Sequence, residues 1–305
     1  MSTTDRAPAI LLGLACGDAL GRPVEFRSAT QIKREFGQLD DMIGNGTHNQ
    51  PAGTITDDTE LALRIARSLF EQKEFDGADV AERFVEWYRS GPFDIGLMTA
   101  DALRQIKNGT PWDEAGKAVW EERPEGQNAG NGSVMRCAPY SIAFSEDPDQ
   151  LLSVSKASSR ITHADPRCTY GCAVLNLTLA GLLHGEDEPL GRALNRVRSE
   201  APEELIEALD PVAEGASIDT LRNSGYVIHS LQTALHDAFA ADSAEEAIVT
   251  AVNRGGDTDT IGAIEGAVAG ARFGAADLPE RWLEAIDERE ELIDLALELH
   301  EISPS

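Results

Sequence analysis

The chain has 305 residues, 42% of them hydrophobic, and a formal charge of −27 from 53 acidic against 26 basic side chains. That length and apolar content allow a large buried core and set the chain apart from disordered sequences. A surface this negative repels nucleic-acid phosphate and anionic lipid, which excludes both as general partners.

Helix-period patterns dominate in chain order. They fall at 7–20, 58–73, 77–90, 94–107, 113–121 and 132–143 in the first half. The second half gives 148–159, 166–184, 226–240, 243–253, 258–273 and 280–301. The last carries an apolar stripe of Leu283, Ile286, Ile293 and Leu297. Residues 185–223 are acidic and weakly apolar and read as surface helices without evident function. Period-2 runs are missing, so the expected fold is all-α. No Pro/Ser-rich linker divides the sequence, which predicts one domain over 1–305. No run approaches 18 uncharged apolar residues, and the N-terminus lacks a basic leader, so the expected location is cytoplasmic. Cys16, Cys137, Cys168 and Cys172 make no C-x-x-C pair and read as buried reduced thiols. Only five basic residues are lysine; with the charge, this points to a high-salt cytoplasm.

Glycine recurs every fourth residue in two places: Gly13, Gly17, Gly21 and Gly262, Gly266, Gly270, Gly274. On a helix that spacing places them on one face, where another backbone can approach. The expectation is two central helices in tight crossings.

Carboxylates collect at the starts of two predicted helices. One cluster is Thr56-Asp57-Asp58-Thr59 and the other Asp257-Thr258-Asp259-Thr260; Glu25 follows the first glycine helix. Taken singly, each could be a helix cap, with Asp57 and Glu60 resembling a capping box. A cap needs only one oxygen, so the second carboxylate of each pair calls for another role. Four converging carboxylates need cations. Oxygen ligands without His or Cys nearby select Mg²⁺ or Mn²⁺. Two such ions would polarise a substrate oxygen and activate a water. The Gly-rich stretch from Gly130 to Arg136 reads as an anion site at a helix start, or as a turn with Ser133 as N-cap.

At these residues the chain resembles the ADP-ribosylglycohydrolase family, which includes the dinitrogenase reductase-activating glycohydrolases. The matching segments are GLACGDALGRPVEF, GTITDDTELAL, GNGSVMRCAPY, SSRITHADPRCTYGCAV and NRGGDTDTIGAIEGAVAGARFGA, spanning residues 13 to 274. The resemblance implies an orthogonal helical domain and hydrolysis of the bond between ADP-ribose and an acceptor. It implies a binuclear Mg²⁺ or Mn²⁺ centre held by Thr56, Asp57, Asp58, Asp257, Asp259 and Thr260, with Glu25 gating or assisting. Glu25, Asp57, Asp58 and Asp257 are the candidate proton acceptors, with no choice among them. Asn131, Gly132 and Ser133 would lie beside the diphosphate or ribose, His163 beside the nucleotide, and Tyr226 could stack on adenine. Ile55 stands where many relatives carry an aromatic residue, which leaves the acceptor open. ADP-ribosyl-arginine on a protein is the expected substrate, ahead of ADP-ribosyl-serine, an ADP-ribosylated nucleic-acid base and a small ADP-ribose conjugate. A non-catalytic protein on the same scaffold and a two-metal phosphoesterase are the alternatives. The residues carry no signal of oligomeric state.

Overall fold

The computed structural model describes residues 3–218 and 220–302. Among these there are sixteen α-helices and no sheet, only isolated bridges such as Ser28 with Gly255 and Gly130 with Tyr226. The first half runs α1 (Thr3–Gly21), α2 (Ala29–Phe36), α3 (Asp57–Gln72), α4 (Gly77–Ser90), α5 (Leu97–Lys107), α6 (Trp112–Glu122), α7 (Pro139–Ala143) and α8 (Pro148–Ser159). The second runs α9 (Pro166–His184), α10 (Pro189–Val197), α11 (Glu203–Ala213), α12 (Val227–Ala240), α13 (Ala244–Asn253), α14 (Thr258–Phe273), α15 (Glu280–Leu283) and α16 (Arg289–Ile302). No helix of the described residues is long and apolar enough to cross a membrane.

Three helices are buried nearly all round, as expected of segments apolar on every face: α1 from Ala7, α9 from Cys168 and α14 from Thr258. α1 and α14 run antiparallel with their backbones in contact. A Cβ on Gly17 would stand 1.8 Å from the Gly262 carbonyl oxygen, and one on Gly13 would stand 2.0 Å from that of Gly266. Gly270 faces the Ala9 carbonyl at 1.9 Å in the same sense. The Thr258 hydroxyl donates to the Gly21 carbonyl at 2.8 Å and closes the crossing at the end nearest the cleft. Gly274 does not belong to this face; it ends α14 at φ +84°. All four cysteines are buried and free.

Several predicted elements are corrected. The pattern over 132–143 is helical only in α7, because Pro139 starts a helix there. The residues before it form turns, with Asn131 N–H donating to the Gly225 carbonyl. The predicted 94–107 helix begins at Leu97, since the Gly96 N–H is turned to Asp57. The long C-terminal helix breaks between Leu283 and Arg289, where the Ala285 carbonyl packs against Gly53. Its core face in α16 is Leu292, Leu295 and Leu299 rather than Ile293 and Leu297. α2 was not anticipated, although Ser28 and Gln31 form a full capping box at its start. Residues 185–223 hold α10 and α11, each burying one apolar face.

Candidate active site and metal centre

The α1–α14 crossing brings the start of α14 beside the end of α1, and the start of α3 packs against both. Asp57 and Asp58 open α3; Asp257 sits at the N-cap position of α14 and Asp259 in its first turn. Neither Thr56 nor Asp257 makes a side-chain capping bond. Glu60 does not close a capping box either, because its carboxylate accepts from the Trp87 indole N–H at 2.5 Å. Capping therefore does not account for these acids.

They face one another instead. Asp57, Asp58, Asp259 and Glu25 are at most 5% exposed. Burial, and then the charges of neighbouring carboxylates, push Asp57, Asp58 and Asp259 well above the usual carboxylate range. Glu25 is raised to about 9, by burial first and then by Asp94 and Asp257. Asp58 Oδ2 accepts from the Thr56 hydroxyl at 3.0 Å, while its Oδ1 is buried without a partner. An orphaned carboxylate oxygen within a crowd of buried acids, all hard oxygen donors, fits a divalent cation and does not fit a dry core.

Four structural residues set this arrangement, and the sequence reading missed all of them. Asp18, fully buried in α1, accepts from the backbone N–H groups of Thr56 and Thr59 at 3.0 and 3.2 Å. It also accepts from their hydroxyls at 2.8 and 2.5 Å. These bonds hold the Asp18 carboxyl to about 6 against the larger upward push of burial. Arg22, also buried, donates to the carbonyls of Thr54, Asn45, Ile43 and Pro51 and so shapes the loop 43–54 from within. That loop sets His48 Nε2 at 2.5 Å from Glu25 Oε2, while the Thr47 hydroxyl donates to the Glu25 carbonyl. Asp94 completes the group: one ligand atom each from Glu25, His48, Asp94 and Asp259 lie within 4.8 Å of one another. The signal for Asp18 was already in the GDALG segment; His48 and Asp94 lie in loops without a distinctive pattern.

A cleft of about 450 Å³ opens over these groups. Asp57, Asp94, Asp257, Asp259 and Thr260 line its acidic wall. Gly130, Asn131, Gly132 and His163 line the other. Asn131 Nδ2 donates to Asp257 Oδ2 at 2.7 Å and to the Ser230 hydroxyl at 3.0 Å, tying the two walls together. His163 is held neutral, its pKa lowered to about 3 chiefly by burial. Its Nδ1 lies 2.7 Å from the Thr162 hydroxyl, which itself accepts from Arg136 Nη2. A Thr162 proton directed at Nδ1 would place the ring proton on Nε2, on the side of the Gly-rich loop. A Cβ at Gly132 would come within 2.9 Å of the His163 ring, which explains the glycine.

Four predicted residues do not border the cleft. Thr56 and Asp58 lie behind it and bond to each other, with Thr56 also bonded to Asp18. Ser133 is turned into the core, where its hydroxyl accepts from Ser159 at 2.9 Å; it caps no helix. Tyr226 has Arg167 over its ring at 5.6 Å and His229 edge-on at 5.0 Å, and its hydroxyl donates to Glu204.

An all-helical scaffold that gathers buried acids beneath a cleft of this size is suited to chemistry on a bound small-molecule group. A sequence model described as ADP-ribosylglycohydrolase matches residues 1–304. The chain is 35% identical over 290 residues to ADP-ribosyl-[dinitrogen reductase] glycohydrolase of Rhodospirillum rubrum, covering 94% of this chain and 92% of that one. It is 32% identical to ADP-ribosylarginine hydrolase Tri1 of Serratia proteamaculans (strain 568), covering 98% of this chain and 80% of the relative. A solved structure titled ADP-ribosylglycohydrolase-related protein complex superposes with a TM-score of 0.82 at 36% identity, over 99% of both chains. The chain belongs to the ADP-ribosylglycohydrolase family.

Proposed function

We propose that this protein hydrolyses the bond between ADP-ribose and an arginine side chain on a protein, with two Mg²⁺ or Mn²⁺ ions. The observation that carries the reading is the pair of helix starts, α3 and α14, whose buried acids meet under one cleft and leave Asp58 Oδ1 unpaired. The names of the Rhodospirillum and Serratia relatives support the ADP-ribosyl bond and the arginine acceptor.

Thr56, Asp57, Asp58, Asp257, Asp259 and Thr260 would hold the ions. When bound, such ions supply positive charge for the sugar hydroxyls and lower the pKa of a water. The protein's own residues do the rest. Asn131 orients Asp257 through its amide. His163, held neutral, offers a donor to a ribose or phosphate oxygen in the tautomer that carries its proton on Nε2. Glu25, Asp57 and Asp257 reach the cleft and, where bound cations keep them ionised, can take a proton from water; Asp58, lying behind, is suited to holding a cation. Asp94, which borders the cleft beside Glu25, joins the candidate proton acceptors. The leaving guanidine departs readily once protonated.

The test is chromatographic detection of ADP-ribose released from ADP-ribosyl-arginine with Mg²⁺ or Mn²⁺, and again with chelator. Metal-dependent release is expected, with turnover abolished in Asp257→Ala while the helical circular dichroism is unchanged. Release that survives chelation, or an Asp257→Ala variant as active as wild type, would remove the metal assignment. Release of phosphate from a phosphoester instead would make the protein a phosphoesterase.

A further inference from the structure

Among the described residues, the exposed large apolar side chains are Phe26, Phe70, Phe93 and Leu97. Three of the four belong to the two short segments that border the mouth of the cleft. Phe26 is 72% exposed and Leu97 75% exposed, and both stand at that mouth. Each follows a site residue directly: Phe26 comes after Glu25, and Leu97 after Gly96, whose N–H donates to Asp57 Oδ2 at 3.3 Å. Phe93 precedes Asp94 and lies with its ring 5.5 Å from that of His48.

Phe26 is held outward by its backbone. Its φ is +63°, a left-handed conformation that an aromatic residue seldom adopts. Its N–H donates to the Gly256 carbonyl at 2.7 Å, and the Gly256 N–H returns a bond to the Arg27 carbonyl at 2.8 Å. The segment is thereby clamped to the loop that carries Asp257. A strained backbone that presents an exposed ring works against stability twice. Strain and exposure of this kind concentrate where a partner is met.

The position of the two side chains says what that partner is. A cleft of about 450 Å³ is the size that encloses one small-molecule group. Once the ADP-ribosyl group fills it, whatever carries the modified arginine has to emerge past Phe26 and Leu97. We infer that these two residues form an apolar clasp for the polypeptide around the modified arginine, so that an ADP-ribosylated protein is cleaved in preference to free ADP-ribosyl-arginine. This rests on the glycohydrolase reading above. The partner chemistry is a protruding segment with an apolar side chain beside the modified residue, desolvated against the two rim residues in the manner of an interface hot spot.

The experiment compares wild type with Phe26→Asn and Leu97→Gln on two substrates, an arginine-ADP-ribosylated protein and free ADP-ribosyl-arginine, in the same metal. Asparagine tolerates the left-handed backbone, so the first variant removes the ring without disturbing the turn. Each variant is expected to lower kcat/KM on the modified protein about tenfold, through KM, as loss of an apolar anchor does. Free ADP-ribosyl-arginine should be cleaved as by wild type. An equal fall on both substrates would make the rim a nucleotide contact, and no change on either would leave it without a role; both results overturn the clasp. Wild type that cleaves the free conjugate but not the protein overturns the clasp and keeps the glycohydrolase reading. Wild type that cleaves neither removes that reading and the clasp with it.

Discussion

Asp18 sits inside α1 with four donors from Thr56 and Thr59 around its carboxylate. Asparagine has the same shape but turns an amide NH₂, itself a donor, towards the donors on one oxygen and leaves those without an acceptor. Asp18→Asn should cost about 3 kcal/mol, measurable by urea unfolding. It should also weaken metal binding, because the turn that aims Asp57 and Asp58 is loosened. Asn131→Ala tests the other support. Removing the amide that positions Asp257 should lower metal affinity or turnover about 10- to 100-fold with little change in unfolding midpoint. Unchanged metal titration would show that Asp257 does not need the amide. The ligand candidates were legible in the sequence because each pair lies within three residues of its partner. Asp18, Arg22, His48 and Asp94 were not, because their roles come from segments about 20 to about 210 residues apart in sequence that meet only in the folded chain. The Ser133 side chain was illegible for the converse reason: a Gly-Asn-Gly-Ser run does not show that packing turns its hydroxyl inward to Ser159.

At the scale of elements, the glycine spacing marked α1 and α14 as helices in tight crossings, though not as each other's partner. The physics is local: residues four apart share a helix face, and only glycine lets two backbones meet there. Gly17→Ala distinguishes this packing from ordinary helix propensity. Propensity alone favours alanine by about 1 kcal/mol. The Cβ would instead collide with the Gly262 carbonyl at 1.8 Å, so a loss of about 3 kcal/mol or more is expected. Gly191→Ala in α10 is the control; its Cβ meets nothing nearer than 4.0 Å, and a gain of about 0.5–1 kcal/mol should follow. If both substitutions stabilised, the crossing would be looser than described. The false helix over 132–143 shows where periodicity failed. Apolar residues at helical spacing in Val134 to Cys137 are buried by turns pinned to Gly225, and a periodic pattern does not distinguish burial by a helix from burial by turns.

At the scale of the whole molecule, two charge effects stand out. The −27 charge is spread over a surface that repels itself, and salt screens such repulsion. The thermal midpoint should rise between low and molar salt, by about 2–4 °C for each kcal/mol of repulsion relieved. A midpoint that falls or stays level would count against a high-salt working environment. The second effect is interior. Glu265, fully buried in α14, has neither carboxylate oxygen paired, because Arg254 is committed to Asp237. Burial first, and the Asp237 charge second, raise its pKa well above the ordinary value. Below the unfolded pKa both states hold the proton and the group costs nothing. As pH rises beyond it the unfolded chain ionises and the folded one does not, so stability falls by about 1.4 kcal/mol per pH unit until the folded pKa is reached. Glu265→Met, similar in volume, should therefore be more stable than wild type, with an advantage that grows from pH 5 to pH 8 in urea unfolding. An advantage independent of pH would mean that the carboxyl ionises equally in both states.

The α1–α14 pairing has a further consequence, in the order of events during synthesis. Gly13 meets Gly266 and Gly17 meets Gly262, so α1 finds its partner only after about 250 further residues have left the ribosome. Such long-range contacts delay folding, because the chain must close a large loop before they form. The apolar faces of α1 stay uncovered through most of translation, and the acid-lined site is assembled in the last stretch, when the segment from Gly255 to Thr260 arrives. A chain cut short before that point lacks both the central crossing and half of the candidate metal centre, so fold and activity are completed together or not at all.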